Sequence, residues 1–266
     1  AGLPLVNGFS DLGPVAGSTQ LAGSAPGSMF GTAVCAAGDI NADGYADVAV
    51  GASMEDYLGI LTDNGAARIF AGSAGGSTST VLWYEVGPNN GNRFGEWLAP
   101  GGDINGDGLA DVLVGLTSGI AIARSIGPTM IIQTTLAYPS LTTTEFGTAG
   151  DVDADGISDI VVGDRFFANG QSFEGRVIVH RGRGDGPLTI PSWTSTTSLT
   201  DPGFGWSVAS AGDVNGDGFD DVIYGPVNWD NFSVPGETDN GLVLMAYGGL
   251  NGIDAVSYDF ASWGAP

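Results

Sequence analysis

The chain has 266 residues, of which 30 are acidic and only seven are basic, so its formal net charge is −23. A surface with this charge repels phosphate backbones and anionic lipid headgroups, which excludes nucleic-acid binding and membrane-surface binding as working hypotheses. No run of about 18 apolar residues occurs, so no membrane insertion is predicted. The 46 glycines and 13 prolines disfavour long helices, whereas a hydrophobic content of 42% is ordinary for a domain with a packed core.

Four segments of the chain align with one another, at residues 30–51, 94–115, 146–163 and 204–225. Each opens on Phe-Gly, continues into an Asp-rich stretch and ends in a short apolar run that closes on glycine. Successive copies lie roughly 50 to 65 residues apart, a spacing that suits one four-stranded propeller blade per repeat. The sequence therefore predicts an all-β fold: a β-propeller of four-stranded antiparallel blades, with four recognisable repeats and room for a further incomplete blade.

The strands can be placed within each repeat. In the first repeat, residues 32–37 lead into the Asp-rich stretch, and residues 47–51 (DVAVG) leave it as a short β-branched strand bounded by glycine. The third repeat has fewer residues between its Phe-Gly and its first Asp, so an irregular first strand is expected there. Third strands are predicted at residues 66–71, 119–124, 176–181 and 242–247, and outer fourth strands at 81–86 and 130–137.

The Asp-rich stretches follow the pattern Asp-x-Asn/Asp-x-Asp-Gly-x-x-Asp. Calcium takes about six to eight oxygen ligands, and alternating residues of a tight loop turn their oxygens toward one point. The glycine permits the left-handed backbone of the turn. The residue after the glycine would contribute its carbonyl, so its side chain is free to be apolar and to pack into the core. The predicted ligands of about four Ca²⁺ ions are Asp39, Asn41, Asp43, Tyr45, Asp47, Asp103, Asn105, Asp107, Leu109, Asp111, Asp151, Asp153, Asp155, Ile157, Asp159, Asp213, Asn215, Asp217, Phe219 and Asp221.

Other interpretations of these loops fit less well. An EF-hand needs Glu at position 12, but those positions hold Val50, Val114, Val162 and Tyr224. A strand sequence, not a helix, follows each loop. Magnesium demands stricter octahedral geometry and keeps its waters. An Asx-rich turn without metal is an adequate alternative for any single loop, and four copies in register favour calcium.

Together these features resemble the FG-GAP repeat of the integrin α-subunit propeller. The resemblance rests on Phe-Gly, Gly-Asp, the metal loop and an exit strand ending in glycine, over residues 30–250. It implies calcium loops between the first two strands of each blade, all on one face, and an extracellular role in adhesion or ligand recognition. Integrin-type rings have seven blades, whereas four repeats are visible here. Residues 1–29 are too short for a whole blade, and they are expected to close the ring or to supply a strand to another molecule; the propeller domain then covers residues 30–266.

Residues for catalysis are not apparent. His180 and Cys35 are single in the sequence, there is no lysine, and no Gly-x-Ser-x-Gly motif occurs. Carboxylate pairs could serve a glycosidase, but nearly all of them are assigned to calcium. A non-enzymatic role is therefore predicted.

Outside the loops, two groups of residues are candidates for recognition. Arg165, Arg176, His180, Arg181 and Arg183 cluster in the third repeat; they either pair with local acids or form a patch that docks a sulfated or sialylated glycan or another copy of the protein. Trp229 lies in a long loop and is a candidate for stacking on a sugar, whereas Trp97 and Trp206 follow Phe-Gly and are expected in the blade core. Asn231 begins an N-glycosylation sequon.

Three functions remain open on this sequence. The first is a secreted, calcium-stabilised binding or adhesion module, lectin-like or protein-binding. The second is a self-assembling subunit of an extracellular filament or surface layer. The third is a propeller domain accompanying a hydrolase. The chain starts at Ala1 without a basic, apolar leader, and we expect a signal segment to have been removed, because calcium sites of this kind need abundant calcium.

Overall fold

The computed structural model describes residues 21–23, 25–127, 129–138, 145–168, 170, 174–187, 189–196, 204–226 and 241–257. Within these ranges the chain is all-β, and sixteen strands form four antiparallel sheets of four strands each. Each strand pairs with its neighbour in sequence, so every sheet is a meander. The predicted all-β class and the four-stranded repeat are confirmed, and the arrangement is consistent with a propeller of FG-GAP repeats.

The first sheet contains β1–β4, the second β5–β8, the third β9–β12 and the fourth β13–β16. The strand bounds, in chain order, are β1 Phe30–Gly38, β2 Asp47–Ala52, β3 Ala66–Phe70, β4 Val81–Val86, β5 Leu98–Gly102, β6 Asp111–Leu116, β7 Gly119–Ser125, β8 Met130–Ala137, β9 Glu145–Gly150, β10 Asp159–Asp164, β11 Arg176–His180, β12 Trp193–Thr196, β13 Ser207–Gly212, β14 Asp221–Gly225, β15 Leu244–Tyr247 and β16 Ala255–Ser257. The predicted entry, exit and third strands are found, and the predicted outer strands at 81–86 and 130–137 are β4 and β8. In the described part of the chain, no helix is long and apolar enough to cross a membrane.

The first strand of the third repeat has one register shift, at Asp159/Ile160, and the other three sheets have a shift at the corresponding point, so the predicted irregularity is not peculiar to this repeat. Phe146 pairs with Val162, in the place that Leu98 takes opposite Val114 in the second sheet. The Phe-Gly of this repeat therefore lies inside the strand. It is not the counterpart of the Phe-Gly that precedes β5, where Phe94 is buried.

Apolar cores lie between consecutive sheets. Successive side chains of each second strand point to opposite faces of its sheet, so one strand contributes to the cores on both sides. In β6, Val112 and Val114 face the first sheet, whereas Leu113 faces the third sheet. The same rule holds in β10, where Val161 faces the fourth sheet. Strands buried on both faces are nearly all apolar, which is why the exit segments carry continuous β-branched runs.

Candidate metal centres

The four metal loops (residues 39–47, 103–111, 151–159 and 213–221) each join the first and second strands of one sheet. Backbone hydrogen bonds connect each loop to the next. The Ala110 N–H donates to the Asp39 carbonyl at 3.3 Å, Ser158 to Asp103 at 2.8 Å, and Asp220 to Asp151 at 3.0 Å. The loops therefore form a row along one side of the molecule.

The second loop illustrates how the first aspartate closes the turn. Asp103 Oδ1 accepts hydrogen bonds from the backbone N–H groups of Gly106 and Asp107, at 2.7 and 3.1 Å, and its Oδ2 accepts one from Gly108 at 2.7 Å. Gly108 has a φ of 85°, the left-handed conformation that the sequence pattern requires. Asp107 Oδ1 accepts the Leu109 N–H at 3.0 Å.

This network is repeated in the other three loops. Asp39, Asp151 and Asp213 each accept the N–H groups four and five residues later, at 2.8–3.1 Å. Gly44, Gly156 and Gly218 are left-handed as well. Each loop therefore directs several carboxylate oxygens toward its own interior by the same local hydrogen bonds.

The last aspartate of each loop ties the loop to the third strand of its sheet. Asp111 is fully buried; its Oδ2 accepts the Ile104 N–H at 2.9 Å and its Oδ1 accepts the Ser125 N–H at 2.8 Å. Asp47, Asp159 and Asp221 make the corresponding pairs of bonds. The sequence pattern predicted these residues only as ligands and missed the connection to the end of the third strand.

Burial makes the carboxyl groups of two of these aspartates weaker acids than usual. Desolvation raises the pKa of Asp111 and of Asp159 from 3.8 to about 7, against the lowering effect of their backbone hydrogen bonds and with a further rise from neighbouring carboxylates. The pKa of Asp47 is raised for the same reasons. A bound cation would remove this penalty by stabilising the charged form.

We expect the calcium-free protein to lose stability as the pH rises. Because the folded pKa of Asp111 and Asp159 is about 7 and the unfolded value is 3.8, the folded state holds more protons between these values. The stabilisation is complete below pH 3.8 and is lost by about pH 7. Urea unfolding in EDTA across this range measures the slope, and Asp111→Asn should flatten it. A free energy of unfolding that rises from pH 4 to pH 7 in EDTA would contradict the assignment.

The third loop differs from the others at its second predicted ligand position, where it has Asp153 and the other loops have asparagine. The Asp153 side chain is 1% exposed, and the guanidinium of Arg181, at the end of β11, contacts its carboxylate. Ligand oxygens of Asp151, Asp153 and Asp159 lie within 4.8 Å of one another. Arg181 therefore offsets the extra negative charge of this loop, so the net charge over its predicted ligand positions equals that of the other three loops.

Removing this arginine should destabilise the protein mainly when calcium is absent. In EDTA, Arg181→Gln leaves a buried carboxylate without its cation, with an expected loss of about 1–3 kcal/mol. In calcium the ion supplies the missing positive charge, so the loss should shrink. Urea unfolding in both conditions measures the difference. The double variant Arg181→Gln with Asp153→Asn is the matched control, because it recreates the composition of the other loops; an Arg181→Gln deficit that is equal with and without calcium would show that the arginine acts independently of the ion.

The apolar residue of each loop does not enter the core. Tyr45 is 44% exposed, and Leu109, Ile157 and Phe219 are partly exposed. These side chains instead cover glycine backbone nearby: a Cβ on Gly106 would touch Ile157. The prediction of core packing at these positions was wrong, because they lie at the rim of the sheets.

The arginines of the third repeat are divided between two ends of the molecule. Arg176 begins β11, on the side away from the loops, and pairs with Asp164 at 2.9 Å. Arg181 and Arg183 follow the other end of β11, beside the loops. An extended strand separates its ends by about 3.3 Å per residue, so the five residues predicted as a patch form no single surface.

The remaining predicted residues have separate environments. His180 is buried and forms a hydrogen bond with the Tyr138 hydroxyl, so it is unable to contact a partner. Burial raises the pKa of Cys35 to about 11, which leaves a protonated thiol at neutral pH. Trp206 is 45% exposed, contrary to the expectation of a core position, and Arg165 stacks on its ring at 4.0 Å. Trp229 and Asn231 lie outside the described residues.

An exposed apolar loop on the opposite side of the molecule was missed by the sequence analysis. Residues 53–65 join β2 to β3 at the end away from the metal loops. Leu58 is 75% exposed and Ile60 is 73% exposed, with Tyr57 beside them. Short apolar residues in a loop give no periodic signal, so only their exposure in the structure singles them out.

The donor sets fit a calcium ion. Each loop supplies aspartate or asparagine oxygens from alternating positions, a hard-ligand set of the kind calcium prefers. In the third loop, the ion pair with Arg181 is the contact that the buried carboxylate of Asp153 makes among the described residues, so its oxygens have room to bind a further cation.

Comparison with known proteins gives matches to one repeat family. The model of the FG-GAP repeat matches residues 30–70, and that of the FG-GAP-like repeat matches residues 151–224. The chain is 38% identical to mouse integrin alpha-E over 102 residues, which is 37% of this chain and 9% of that protein. It is also 38% identical to human integrin alpha-6 over 112 residues, 41% of this chain and 9% of that protein. The chain thus spans about a tenth of the length of these curated relatives.

A solved structure, that of the V. cholerae biofilm matrix protein Bap1, aligns with 84% of this chain and 38% of its own at 17% identity, with a TM-score of 0.34. That likeness is too weak to add to the assignment. The matched segments coincide with the sheets and loops described above. Residues 30–70 and 151–224 therefore match FG-GAP repeats, and parts of the chain are similar to integrin α subunits.

Proposed function

We propose that this chain is an extracellular binding module in which calcium ions in the four metal loops stabilise the repeats, while the opposite side of the molecule recognises a protein or glycan ligand. The observation that carries the proposal is the row of four loops, each with the same inward-facing carboxylates and each joined to the next. Asp39, Asp43, Asp47 and Asn41, with their counterparts, would hold the ions. Bound calcium would supply positive charge that cancels the repulsion among these carboxylates.

The assignment of two sides rests on connectivity. The metal loops follow the first strand of each sheet, whereas the connections from the second to the third strand emerge at the other end. That end carries Leu58, Ile60 and Trp206, which are exposed apolar or aromatic side chains, with Arg165 over the Trp206 ring. Exposed apolar residues rimmed by polar ones are typical of interaction sites.

Binding to panels of immobilised extracellular proteins and glycans, in calcium and in EDTA, tests the proposal. We expect a ligand whose binding needs calcium and is lost in Leu58→Asp. The matched control is Leu250→Asp, which changes an equally exposed leucine on the side of the metal loops. Equal loss in both variants, or hydrolysis of a panel member by the purified chain, would contradict the proposed function.

A further inference from the structure

One face of the fourth sheet packs against no other described sheet. The equivalent faces of the first three sheets each pack against the next sheet along the chain. On β6, Leu113 faces the next sheet and is fully buried together with Ile122 of β7. Their counterparts on β14 and β15 are Ile223 and Met245, which pair with each other and are partly exposed. In the described ranges, no strand of the first sheet shares an extended contact with the fourth sheet.

A glycine at the end of each first strand receives a side chain from the next sheet. A Cβ on Gly38 would lie 2.4 Å from the Ala110 Cβ, and one on Gly102 would lie 2.3 Å from the Ser158 Oγ. The equivalent glycine of the fourth sheet is Gly212, and a Cβ on Gly212 would meet no atom of the described chain within 4 Å.

The hydrogen bond between neighbouring loops follows the same rule. Ala110 donates its N–H to the Asp39 carbonyl, and the two later pairs repeat the bond. By register, the next acceptor would be the Asp213 carbonyl and the unused donor would be the Ala46 N–H. Neither group forms a backbone hydrogen bond with the residues described.

The first sheet has the complementary set of unused groups. Ala46, the counterpart of Ala110, is exposed, and Val48 is partly exposed, whereas its counterpart Val112 is fully buried. Gly95, at the start of the second repeat, lies against the Ala66 carbonyl of the preceding sheet. Gly31 also has a positive φ, 91° against 81° for Gly95, but a Cβ on Gly31 would meet no atom of the described chain within 4 Å.

We infer that the free face of the fourth sheet (Gly212, Asp213, Ile223 and Met245) binds the free face of the first sheet (Gly31, Ala46 and Val48) of a second copy of this chain. The contact would continue the three interfaces already present: Ala46 meets Gly212 as Ala110 meets Gly38, and the Ala46 N–H donates to the Asp213 carbonyl. Gly212 on one side and Gly31 and Ala46 on the other leave room for the backbones to approach at these positions.

Two copies joined in this way bring eight four-stranded sheets together, within the range of about four to eight blades found in propellers. A head-to-tail contact that repeats twice around a two-fold axis closes on itself, so the expected product is a dimer. Each copy carries a charge of −23, so the dimer should strengthen with salt and with calcium, which lower the repulsion between copies. The inference does not depend on the ligand of the proposed function.

Sedimentation velocity over a concentration series in calcium tests the dimer. We expect the unmodified chain to move from monomer to dimer, and Ala46→Arg and Ile223→Arg each to weaken association by about 30-fold or more, as at an interface hot spot. Ala137→Arg is the matched control, because it places the same charge on an exposed position of the second sheet, and it should dimerise normally.

A mixing experiment identifies the orientation. Ala46→Arg retains an intact fourth-sheet face and Ile223→Arg retains an intact first-sheet face, so an equimolar mixture should recover a dimer with one functional interface. Circular dichroism and melting of each variant confirm folding. A chain that stays monomeric up to millimolar concentration, a dimer that ignores both substitutions, or a mixture that stays monomeric would overturn the inference.

Discussion

Chelation of calcium is expected to lower the melting temperature of this protein by about 20 °C or more. With calcium at about 100 times the dissociation constant, each site stabilises the fold by about 2.7 kcal/mol, and 1 kcal/mol corresponds to about 2–4 °C in a domain of this size. Four sites acting together produce the shift. The physical cause is the repulsion among carboxylates, such as Asp103, Asp107 and Asp111, that share one short loop.

Calorimetry with calcium, with EDTA and with calcium restored measures this effect. Four single variants, Asp43→Ala, Asp107→Ala, Asp155→Ala and Asp217→Ala, should each remove about a quarter of the calcium-dependent shift. Magnesium at the same concentration serves as a control for ionic strength and should restore little of the loss. An unchanged melting temperature in EDTA would exclude metal as a source of stability.

Asp111→Ala should lower the free energy of unfolding by about 2–6 kcal/mol even without calcium, and by more in calcium, because Asp111 is also a proposed ligand of the ion. The change removes the acceptor of two buried N–H groups, those of Ile104 and Ser125, and each unsatisfied buried donor costs about 1–3 kcal/mol. Asp107→Ala is the matched comparison, because Asp107 is exposed and bonds only within its own loop. Its deficit should shrink as the calcium concentration falls, since its proposed role is to bind the ion.

Urea unfolding of the two variants at several calcium concentrations separates these roles. If the EDTA form is too unstable to measure, the comparison is made down a calcium series, where the Asp111→Ala deficit should persist while that of Asp107→Ala diminishes. Deficits that fall in parallel would mean that Asp111 acts only as a ligand and that its link to β7 adds no stability.

The repeats and strand positions were predictable because their signals are local. Glycine at a left-handed turn, aspartate at alternating positions and a β-branched exit run each reflect backbone geometry within about ten residues. The predicted strands were therefore found with errors of one or two residues, and Val81–Val86 and Met130–Ala137 matched their predicted bounds.

Contacts between distant residues were less predictable. The pattern gave Asp111 as a ligand but could not reveal its bond to Ser125, fourteen residues away on another strand. Similarly, Phe146-Gly147 reads as the start of a repeat, yet the ladder places Phe146 opposite Val162, inside the strand. The arginines close in sequence were separated because a strand is extended. For Asp111 and Phe146 the missing information was the register between strands.

The meander order of every sheet has a consequence for how the chain folds. Because each hydrogen-bonded strand pair consists of sequence neighbours, a repeat can complete its sheet before the next repeat has been synthesised. The loops closed in this process are short, so the entropic barrier is low compared with that of a Greek-key sandwich of equal size. Assembly should then advance in order from the first repeat to the fourth, and a damaged repeat would halt it at that point.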